Sequence, residues 1–339
     1  MTLRENVPLS SLTTLRAGGA TRAVAECERV DDVLEALAYA RERGMPWYIL
    51  GDGSNVLAHD EGYEGLIIRP RIAGISFADD GASVGMTTGA GVSWDACVRE
   101  AAARGLWGIE NLAGIPGTCG AAPVQNIGAY GAELSQVLDR VDVFDIREET
   151  VRTLSKDECA LGYRDSRFKH DPSLIILFVT LRLSTQGSAR ADYSDLKAAK
   201  EAGEDLSTPQ KIGDSVRAIR ARKFPDLAVS GTAGSFFKNP ILSKAQYAAL
   251  SERYGDVPQF PNPSGIKIPL AFILDKVLHL RGFRMGHAHL FGAQPLVLVL
   301  DEGGTAAEIE ALACEVETRV REATGITIER EVRSLGNKN

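Results

Sequence analysis

The sequence predicts an α+β fold divided into more than one domain. Many short β-like runs are interspersed with a few helical patterns, and a regular alternation of strand and helix is missing. The chain has 339 residues, more than one hydrophobic core usually supports, so we expect two or three domains.

The predicted elements of the first half begin after a loop-like start. A helix is predicted over residues 30–43, because aspartates lie at its amino end, apolar residues recur at helical spacing and a glycine follows it. The apolar run 47–50 predicts a buried strand that leads into a glycine turn. The remaining predictions are strands at 66–69, 82–88, 141–146, 151–154 and 174–183 and a helix at 94–104.

A polar, weakly periodic segment over residues 184–207 is typical of a linker or a mobile flap. We therefore expect one domain at 1–183, with its core at about 17–183, and a second at 184–339. Thr208 is a good N-cap and Pro209 suits the first helical position, which predicts a helix to about residue 222. Later predictions are helices at 243–254, 270–280 and 305–323 and strands at 296–300 and 326–332.

Charge and cysteine usage exclude several classes of protein. The net charge of −7 offers no basic field for a nucleic acid, so none is expected as a partner. The five cysteines are scattered and form no C-x-x-C pair, which argues against structural zinc and favours a reducing compartment. The amino terminus lacks the apolar core of a signal peptide, and we expect a cytoplasmic protein.

The stretch 111–132 contains five glycines and no charged side chain. This composition indicates backbone brought close to a large polar ligand, because glycine lacks a Cβ that would clash. A buried glycine-rich connection explains the composition equally well. A membrane span is the third alternative, but two prolines with Gln125 and Asn126 argue against membrane insertion.

A second glycine turn, at residues 51–55, favours the ligand interpretation. The sequence Gly51-Asp52-Gly53-Ser54-Asn55 directly follows the predicted strand 47–50. It is not the dinucleotide-binding fingerprint, because G-x-G-x-x-G requires a glycine where the chain has Val56.

The segment 162–166 places a phenol, a guanidinium and a carboxylate in one short turn, as Tyr163, Arg164 and Asp165. An arginine here could bind a substrate carboxylate through its planar fork of donors. Considered alone, the segment favours a structural Arg164–Asp165 pair on the surface.

Small residues at 231–235 place the Ser235 hydroxyl on permissive backbone, followed by two phenylalanines and Asn239. The segment is not the G-x-S-x-G nucleophile elbow, since Phe237 occupies the last glycine position. The serine could still act as a proton donor or an oxyanion partner.

Residues 326–333 alternate, so Thr327, Glu329, Glu331 and Arg333 would share one face of the predicted strand. A charged site and a solvated edge strand both fit this pattern, and the segment alone favours the edge strand.

The histidines are expected to be ordinary hydrogen-bonded residues. His287 and His289 could share a strand face, but no third metal ligand lies nearby in the sequence, so no metal site is predicted. The others, His59, His170 and His279, are solitary.

Together these segments resemble the UDP-N-acetylenolpyruvoylglucosamine reductase family. The matching motifs follow the order of the family and span nearly the whole chain: residues 49–57, 115–117, 123–131, 162–166, 233–240 and 331–333. The polar segment 184–207 resembles the flap of the longer family subtype, with Tyr193 as the flap tyrosine.

The resemblance implies an FAD-binding domain of the vanillyl-alcohol-oxidase type (PCMH type), followed by an α+β substrate-binding domain. FAD would be held non-covalently and NADPH would be the co-substrate. Reduced flavin would pass hydride to the enolpyruvyl group of UDP-N-acetylglucosamine enolpyruvate, giving UDP-N-acetylmuramate for peptidoglycan. We expect small-molecule partners only and a monomer.

The resemblance also assigns roles to individual residues. Ser235 would donate the proton, while Arg164 and Glu331 would stabilise the enolate-like intermediate through the substrate carboxylate. The implied FAD contacts are Gly51, Gly53, Ser54, Asn55, Ile115, Pro116, Gly117, Gly120, Asn126, Gly128, Ala129, Tyr130 and Gly131. The implied substrate contacts are Tyr163, Tyr193, Lys223, Asn239, Arg281, Gln294 and Arg333.

Two positions depart from the pattern of the family. Phe260 stands where a substrate-contacting tyrosine is expected, and Arg281 where lysine is expected. Phe260 cannot donate a phenolic hydrogen bond. Two other functions are consistent with the same domains: another FAD-dependent oxidase or dehydrogenase, and a non-catalytic UDP-sugar-binding protein.

Overall fold

The computed structural model describes residues 1–81 and 83–336, and its contacts divide the chain into two compact units. The first unit comprises Met1–Val7, Thr21–Asp52 and Glu64–Ala221. The second comprises Pro8–Ala20, Gly53–Tyr63 and Arg222–Asn339. Each unit is discontinuous in sequence, whereas the predicted domains 1–183 and 184–339 are continuous. The functional boundary at residue 183 stays a prediction.

Strands and helices both occur in quantity, which confirms the predicted α+β class. The strands are β1 Thr2–Pro8, β2 Ala20–Cys27, β3 Trp47–Ile49, β4 Val56–Ala58, β5 Tyr63–Pro70, β6 Ile75–Asp79, β7 Val84–Gly89, β8 Gly128–Ala129, β9 Ala132–Glu133, β10 Leu138–Asp145, β11 Thr150–Ser155, β12 Leu174–Leu183, β13 Gly231–Ser235, β14 Ile241–Leu242, β15 Phe260–Asn262, β16 Gly265–Lys267, β17 Arg284–Met285, β18 Ala288–Leu290, β19 Val297–Leu300 and β20 Arg333–Leu335. The helices are α1 Val30–Glu42, α2 Trp94–Ala103, α3 Arg167–His170, α4 Ser194–Glu201, α5 Pro209–Lys223, α6 Lys244–Tyr254, α7 Leu270–Phe272 and α8 Ala306–Thr324.

Two sheets build the first unit. The order β1-β2-β5-β3 forms a four-stranded sheet, and helix α1 buries Val33, Ala36 and Leu37 in the same apolar cluster as its strands. The order β11-β10-β12-β7-β6 forms a five-stranded sheet whose strands pair antiparallel. A second, larger cluster joins this sheet to α2 and α5. Strand β3 delivers the chain to Gly51 at the end of the first sheet.

The second unit has its own core, around the sheet β13-β19-β18-β17. Helix α8 contributes Ile309, Leu312, Val316 and Val320, which recur at helical spacing and are fully buried. Thr305 caps its start in a capping box with Glu308, and Gly325 ends it in the left-handed conformation, with φ of +70°. The parallel pair β4–β20 joins residues from opposite ends of the chain.

A second cap on α8 comes from Asp60, whose carboxylate oxygens each accept a backbone N–H, from Ala306 and Ala307, at 2.9 Å. We expect Asp60→Ala to lower the free energy of unfolding by about 1–2 kcal/mol, because two helix N–H groups lose their acceptor. Thermal or urea unfolding followed by circular dichroism measures the effect. The exposed neighbour Glu61 provides the control variant Glu61→Ala, and equal stability of the two variants would contradict the prediction.

Most predicted elements are confirmed, with ends shifted by a few residues. The strand predicted at 82–88 begins at Val84, and Ala82 lies outside the described residues. The helix predicted at 270–280 is a short α-helical turn, α7, followed by a π-helix at Ile273–Val277. The predicted linker 184–207 contains α4. The start of the chain, predicted as loop, contains β1 and β2.

The strand predicted at 326–332 is wrong. This segment has irregular backbone with one isolated bridge, Phe237↔Arg330, and the regular strand β20 starts only at Arg333. Ile326, Ile328 and Val332 are nevertheless buried, so the apolar alternation was a correct sign of burial and a poor sign of regular pairing.

None of the helices within residues 1–81 and 83–336 is long and apolar enough to cross a membrane. The uncharged stretch 111–132 instead holds 3₁₀ turns and the hairpin β8–β9.

Candidate active site

The glycine turn after β3 presents backbone donors. Gly51 packs closely on the loop after residue 117, since a Cβ there would lie 2.8 Å from the Thr118 hydroxyl oxygen. Among the described residues, none accepts a hydrogen bond from the amide of Gly51 or of Asp52. Successive backbone N–H groups without protein acceptors form an anion-binding surface, which fits the pyrophosphate of FAD.

The turn continues in the second unit with Gly53, whose backbone is left-handed with φ of +64°. A Cβ at Gly53 would lie 2.4 Å from the carbonyl oxygen of Leu12, so no other residue fits. The neighbouring Thr13 is buried, and its hydroxyl has no hydrogen-bond partner in the described part of the chain. A buried hydroxyl without a partner is rare, and here it fits a polar ligand group.

The glycines of the loop 111–132 serve two purposes. A Cβ at Gly120 would lie 2.6 Å from the Cβ of Ala90, so this glycine is required by packing within the protein. Gly131, with φ of +80°, has no atom within 4 Å of its Cβ position. Packing within the protein therefore explains Gly120, and the approach of FAD to this stretch stays a prediction.

Asn126 holds this loop in place. Its backbone is left-handed, with φ of +44°. Its side chain donates to the carbonyl of Gly162 at 2.9 Å and accepts from the amide of Ser135 at 2.9 Å. The Ser166 hydroxyl adds a hydrogen bond to the carbonyl of Val124 at 2.6 Å. The loop and the turn 162–166 are thus fixed to each other by side-chain contacts.

Arg164 occupies the third position of a tight turn closed by the bridge Gly162↔Asp165. Its φ of +53° is a conformation that the turn reserves for glycine, at a cost of about 1–3 kcal/mol for other residues. The guanidinium donates to the carbonyl of Gly128 at 2.5 Å. The Asp165 carboxylate pairs with His170 at 2.9 Å.

Two tyrosines of the first unit meet edge to face. The rings of Tyr130 and Tyr193 lie 5.4 Å apart at an angle of 76°. Burial raises the pKa of the Tyr130 hydroxyl to about 12, although a hydrogen bond from Arg220 opposes the rise. Arg220 also donates to the carbonyl of Gly114 at 2.9 Å. The predicted FAD residue Tyr130 therefore touches the predicted flap residue Tyr193, which is 43% exposed.

In the second unit, Ser235 lies at the end of β13, where the pairing with β19 shifts register between Thr232 and Ser235. Gly234 precedes it with φ of +78°, and the buried Phe236 and Phe237 follow it. Such bulges re-aim side chains and are frequent beside active sites. The phenylalanines anchor a backbone that presents Ser235.

Glu331 is held beside the same loop. Its amide donates to the carbonyl of Phe236 at 2.8 Å, and its own carbonyl accepts from the Asn55 side chain at 3.2 Å. The amide of Arg333 in turn donates to the carbonyl of Asn55 at 3.1 Å. Three predicted residues, Asn55, Glu331 and Arg333, are therefore joined by hydrogen bonds, and the loop of Ser235 is bonded to the same segment.

The other predicted substrate contacts have structural partners as well. The Asn239 side chain accepts from the amide of Leu270 at 2.9 Å. Arg281 pairs with Asp275 at 2.9 Å and donates to the carbonyl of Gly292 at 3.0 Å. The backbone carbonyl of Gln294 accepts from the amide of Val297 at 3.0 Å. Tyr163 lies in the turn of Arg164, Lys223 ends α5, and Phe260 is 47% exposed. The contacts of all these residues with the substrate stay predictions.

The histidine pair has carboxylate and arginine neighbours. His287 lies 3.0 Å from Glu308, and His289 lies 3.2 Å from Arg284. Burial lowers the pKa of His289. No group of three His, Cys, Asp or Glu side chains that could hold a metal occurs among the described residues.

Sequence reasoning missed Thr13 and Arg220. Thr13 is buried beside Gly53 and Arg220 is half-buried beside Tyr130, and neither lies in a recognisable motif. Proximity to Gly53 and Tyr130 arises only from the fold, so no local signal could have identified them.

Comparison with known proteins agrees with this geometry. The FAD binding domain family matches residues 21–155, and the family described as UDP-N-acetylenolpyruvoylglucosamine reductase, C-terminal domain, matches residues 226–335. The enzyme named UDP-N-acetylenolpyruvoylglucosamine reductase in Pseudomonas aeruginosa is 39% identical over 97% of this chain and 98% of that protein. Its namesake in Chromobacterium violaceum is 40% identical over 97% of both proteins.

A solved structure gives the same result. The crystal structure of UDP-N-acetylenolpyruvylglucosamine reductase from Thermus caldophilus matches with a TM-score of 0.68 and 25% identity, covering 98% of this chain and 100% of that one. These matches confirm the family predicted from the motifs. The chain belongs to the UDP-N-acetylenolpyruvoylglucosamine reductase family.

Proposed function

We propose that this protein reduces UDP-N-acetylglucosamine enolpyruvate to UDP-N-acetylmuramate, with NADPH as reductant and FAD as a non-covalent cofactor. The family membership supports the reaction. The observation that carries the assignment of residues is the hydrogen bond between the Glu331 amide and the Phe236 carbonyl, which holds Glu331 beside the loop of Ser235.

FAD, when bound, supplies the hydride that the enolpyruvyl carbon accepts. In the first unit, the amides of Gly51 and Asp52 are the groups that would hold it, because no described residue accepts a hydrogen bond from them. Backbone donors of this kind bind a pyrophosphate without requiring a basic patch, in keeping with the acidic net charge of −7.

Ser235 supplies the proton in this proposal. Hydride addition to the terminal carbon leaves negative charge on the adjacent carbon and its carboxylate, and a hydroxyl fixed on one side can then protonate that carbon. The bulge at Ser235 and the buried phenylalanines support this role, since they fix the backbone that carries the hydroxyl.

Arg164 and Glu331 stabilise the charge that develops on the substrate carboxylate. The guanidinium is a permanent planar donor. A carboxyl group can donate a hydrogen bond only when it is protonated, so Glu331 would act in its acid form. The left-handed backbone of Arg164 supports a functional role, because strained non-glycine residues cluster at active sites.

We further propose that the protein acts as a cytoplasmic monomer on small molecules. The five cysteines are all free thiols, four of them buried, which is consistent with a reducing compartment.

The proposal is tested on the purified protein. We expect a yellow protein whose flavin is released into the supernatant by acid, because non-covalent contacts do not survive unfolding. Under anaerobic conditions NADPH should bleach the flavin, and UDP-N-acetylglucosamine enolpyruvate should restore its colour with formation of one equivalent of product.

Each alternative function predicts a different result. An oxidase of the same fold would be reoxidised rapidly by oxygen and slowly by the enolpyruvyl compound. A non-catalytic UDP-sugar-binding protein would purify without flavin and could not be reconstituted. Flavin that remains in the acid pellet would contradict the non-covalent assignment.

A further inference from the structure

Four charged side chains surround the start of the glycine turn. Glu26 on β2 accepts from Arg69 on β5 at 2.9 Å and from Arg71 at 3.0 Å. Arg71 also donates to the carboxylate of Asp52 at 2.7 Å. Burial opposes ionisation of Glu26, but the two guanidiniums outweigh it and lower the pKa of its carboxyl. We call these residues, Glu26, Asp52, Arg69 and Arg71, the turn cluster.

Arg69 acts on the backbone of the turn. It is only 9% exposed, and its Nε and Nη2 atoms donate to the carbonyl of Gly51 at 3.3 and 3.2 Å. The peptide bond that follows Gly51 is trans, so its C=O and the N–H of Asp52 point in opposite directions. Fixing the Gly51 carbonyl toward Arg69 therefore aims the Asp52 amide away from Arg69.

Arg71 acts on the side chain of the turn. Asp52 carries a carboxylate in the segment whose amides would meet the pyrophosphate of FAD. The negative charges of the carboxylate and the pyrophosphate would repel each other. The ion pair with Arg71 neutralises this carboxylate, and Arg69 contributes a longer contact at 3.9 Å. Two arginines against two carboxylates leave the turn cluster with no net charge, so it adds no general attraction for anions.

We propose that Arg69 and Arg71, held by Glu26, are positioning residues for the cofactor: Arg69 orients the Gly51 peptide, and Arg71 neutralises Asp52. The inference rests on the proposed binding of FAD. It assigns two separate routes, one through a backbone carbonyl and one through a carboxylate, and these routes predict different responses to substitution of Asp52.

The experiment measures the dissociation constant of FAD by dilution of the holoenzyme, with recovery of flavin fluorescence as the signal. We expect Arg71→Met and Arg69→Met each to raise the dissociation constant of FAD at least about tenfold. In Arg71→Met the cause is the Asp52 carboxylate, which is left unpaired beside the pyrophosphate. Asp52→Asn should rescue Arg71→Met but not Arg69→Met, because it removes only the unpaired charge.

Arg182 provides the matched control, since it also pairs with two carboxylates, Asp139 and Asp80, in the first unit. Arg182→Met should bind FAD like wild type. Circular dichroism shows whether each variant is folded. If Arg71→Met is not folded, Arg71→Gln replaces it, because glutamine is polar but uncharged, and wild-type affinity in that variant would overturn the route through Asp52.

The remaining outcomes separate the inference from the proposed function. Arg69→Met and Arg71→Met variants that retain FAD as tightly as Arg182→Met would overturn the positioning role while FAD binding stands. Failure of Asp52→Asn to rescue Arg71→Met would overturn the neutralising role of Arg71. A wild-type protein that binds no FAD would refute the proposed function itself.

Discussion

Ser235→Ala is expected to reduce the enolpyruvyl substrate about 10²- to 10⁴-fold more slowly than wild type, the range for losing a positioned proton donor. Reduction of the flavin by NADPH should continue at nearly the normal rate, because that step needs no proton from the serine. The backbone pairing of Ser235 with Val297 does not involve the hydroxyl, so the loop should keep its conformation. Stopped-flow absorbance at the flavin band follows the two half-reactions separately.

Two further variants control this result. Ser235→Cys should retain more activity than alanine, since a thiol can still give up a proton. Ser230→Ala changes a serine five positions earlier in the same unit and should behave like wild type. Normal substrate reduction by Ser235→Ala, at wild-type flavin content, would remove the hydroxyl from the mechanism.

Arg164→Gly is expected to slow substrate reduction about a hundredfold, the scale of losing one electrostatic stabiliser, or about 3 kcal/mol. Glycine removes the guanidinium and also relieves the left-handed strain at φ of +53°. Relief of strain and loss of the hydrogen bond to Gly128 oppose each other, so the free energy of unfolding should change by less than about 1 kcal/mol. Stopped-flow kinetics and thermal unfolding test the two claims.

A stable but inactive Arg164→Gly variant would assign the loss to the side chain rather than to the fold. Glu331→Ala should show the same selectivity for the second half-reaction, because alanine cannot donate a hydrogen bond to the substrate carboxylate. Arg167→Ala is the control, because Arg167 lies three residues away and pairs with Asp171 at 3.7 Å. Equal slowing of both half-reactions by Arg164→Gly would show that the arginine supports flavin binding instead.

Local chemistry made much of the fold predictable. Helices with clear caps, such as α5 after Thr208 and α8 after Thr305, were predicted within one or two residues, because caps and periodicity are encoded in neighbouring positions. Strands β1 and β2 were missed, since their residues show no long apolar run. The strand at 326–332 was wrong because its partners are a few backbone groups of residues 236–238, which the segment alone does not reveal.

The candidate site residues also fall into two groups, those that local sequence motifs suggest and those that only the fold brings together. Motifs made Ser235, Arg164 and Glu331 candidate site residues, because each lies in a distinctive string of neighbours. Arg69, Arg71 and Thr13 escaped because each depends on a contact that the fold creates, such as β2 lying beside β5. Sequence strings also gave no sign that packing constrains some glycines: a Cβ at Gly120 would lie 2.6 Å from the Cβ of Ala90.

The pairing of β4 with β20 sets an order of events during protein synthesis. Val56 pairs with Arg333, and the carbonyl of Asn55 accepts a hydrogen bond from the amide of Arg333. A ribosome releases these partners far apart in time, so strand β4 must wait unpaired until almost the whole chain has emerged. Contacts between such distant residues also slow folding. We expect nascent chains that stop before residue 333 to leave the turn 53–55 incomplete and unable to retain flavin.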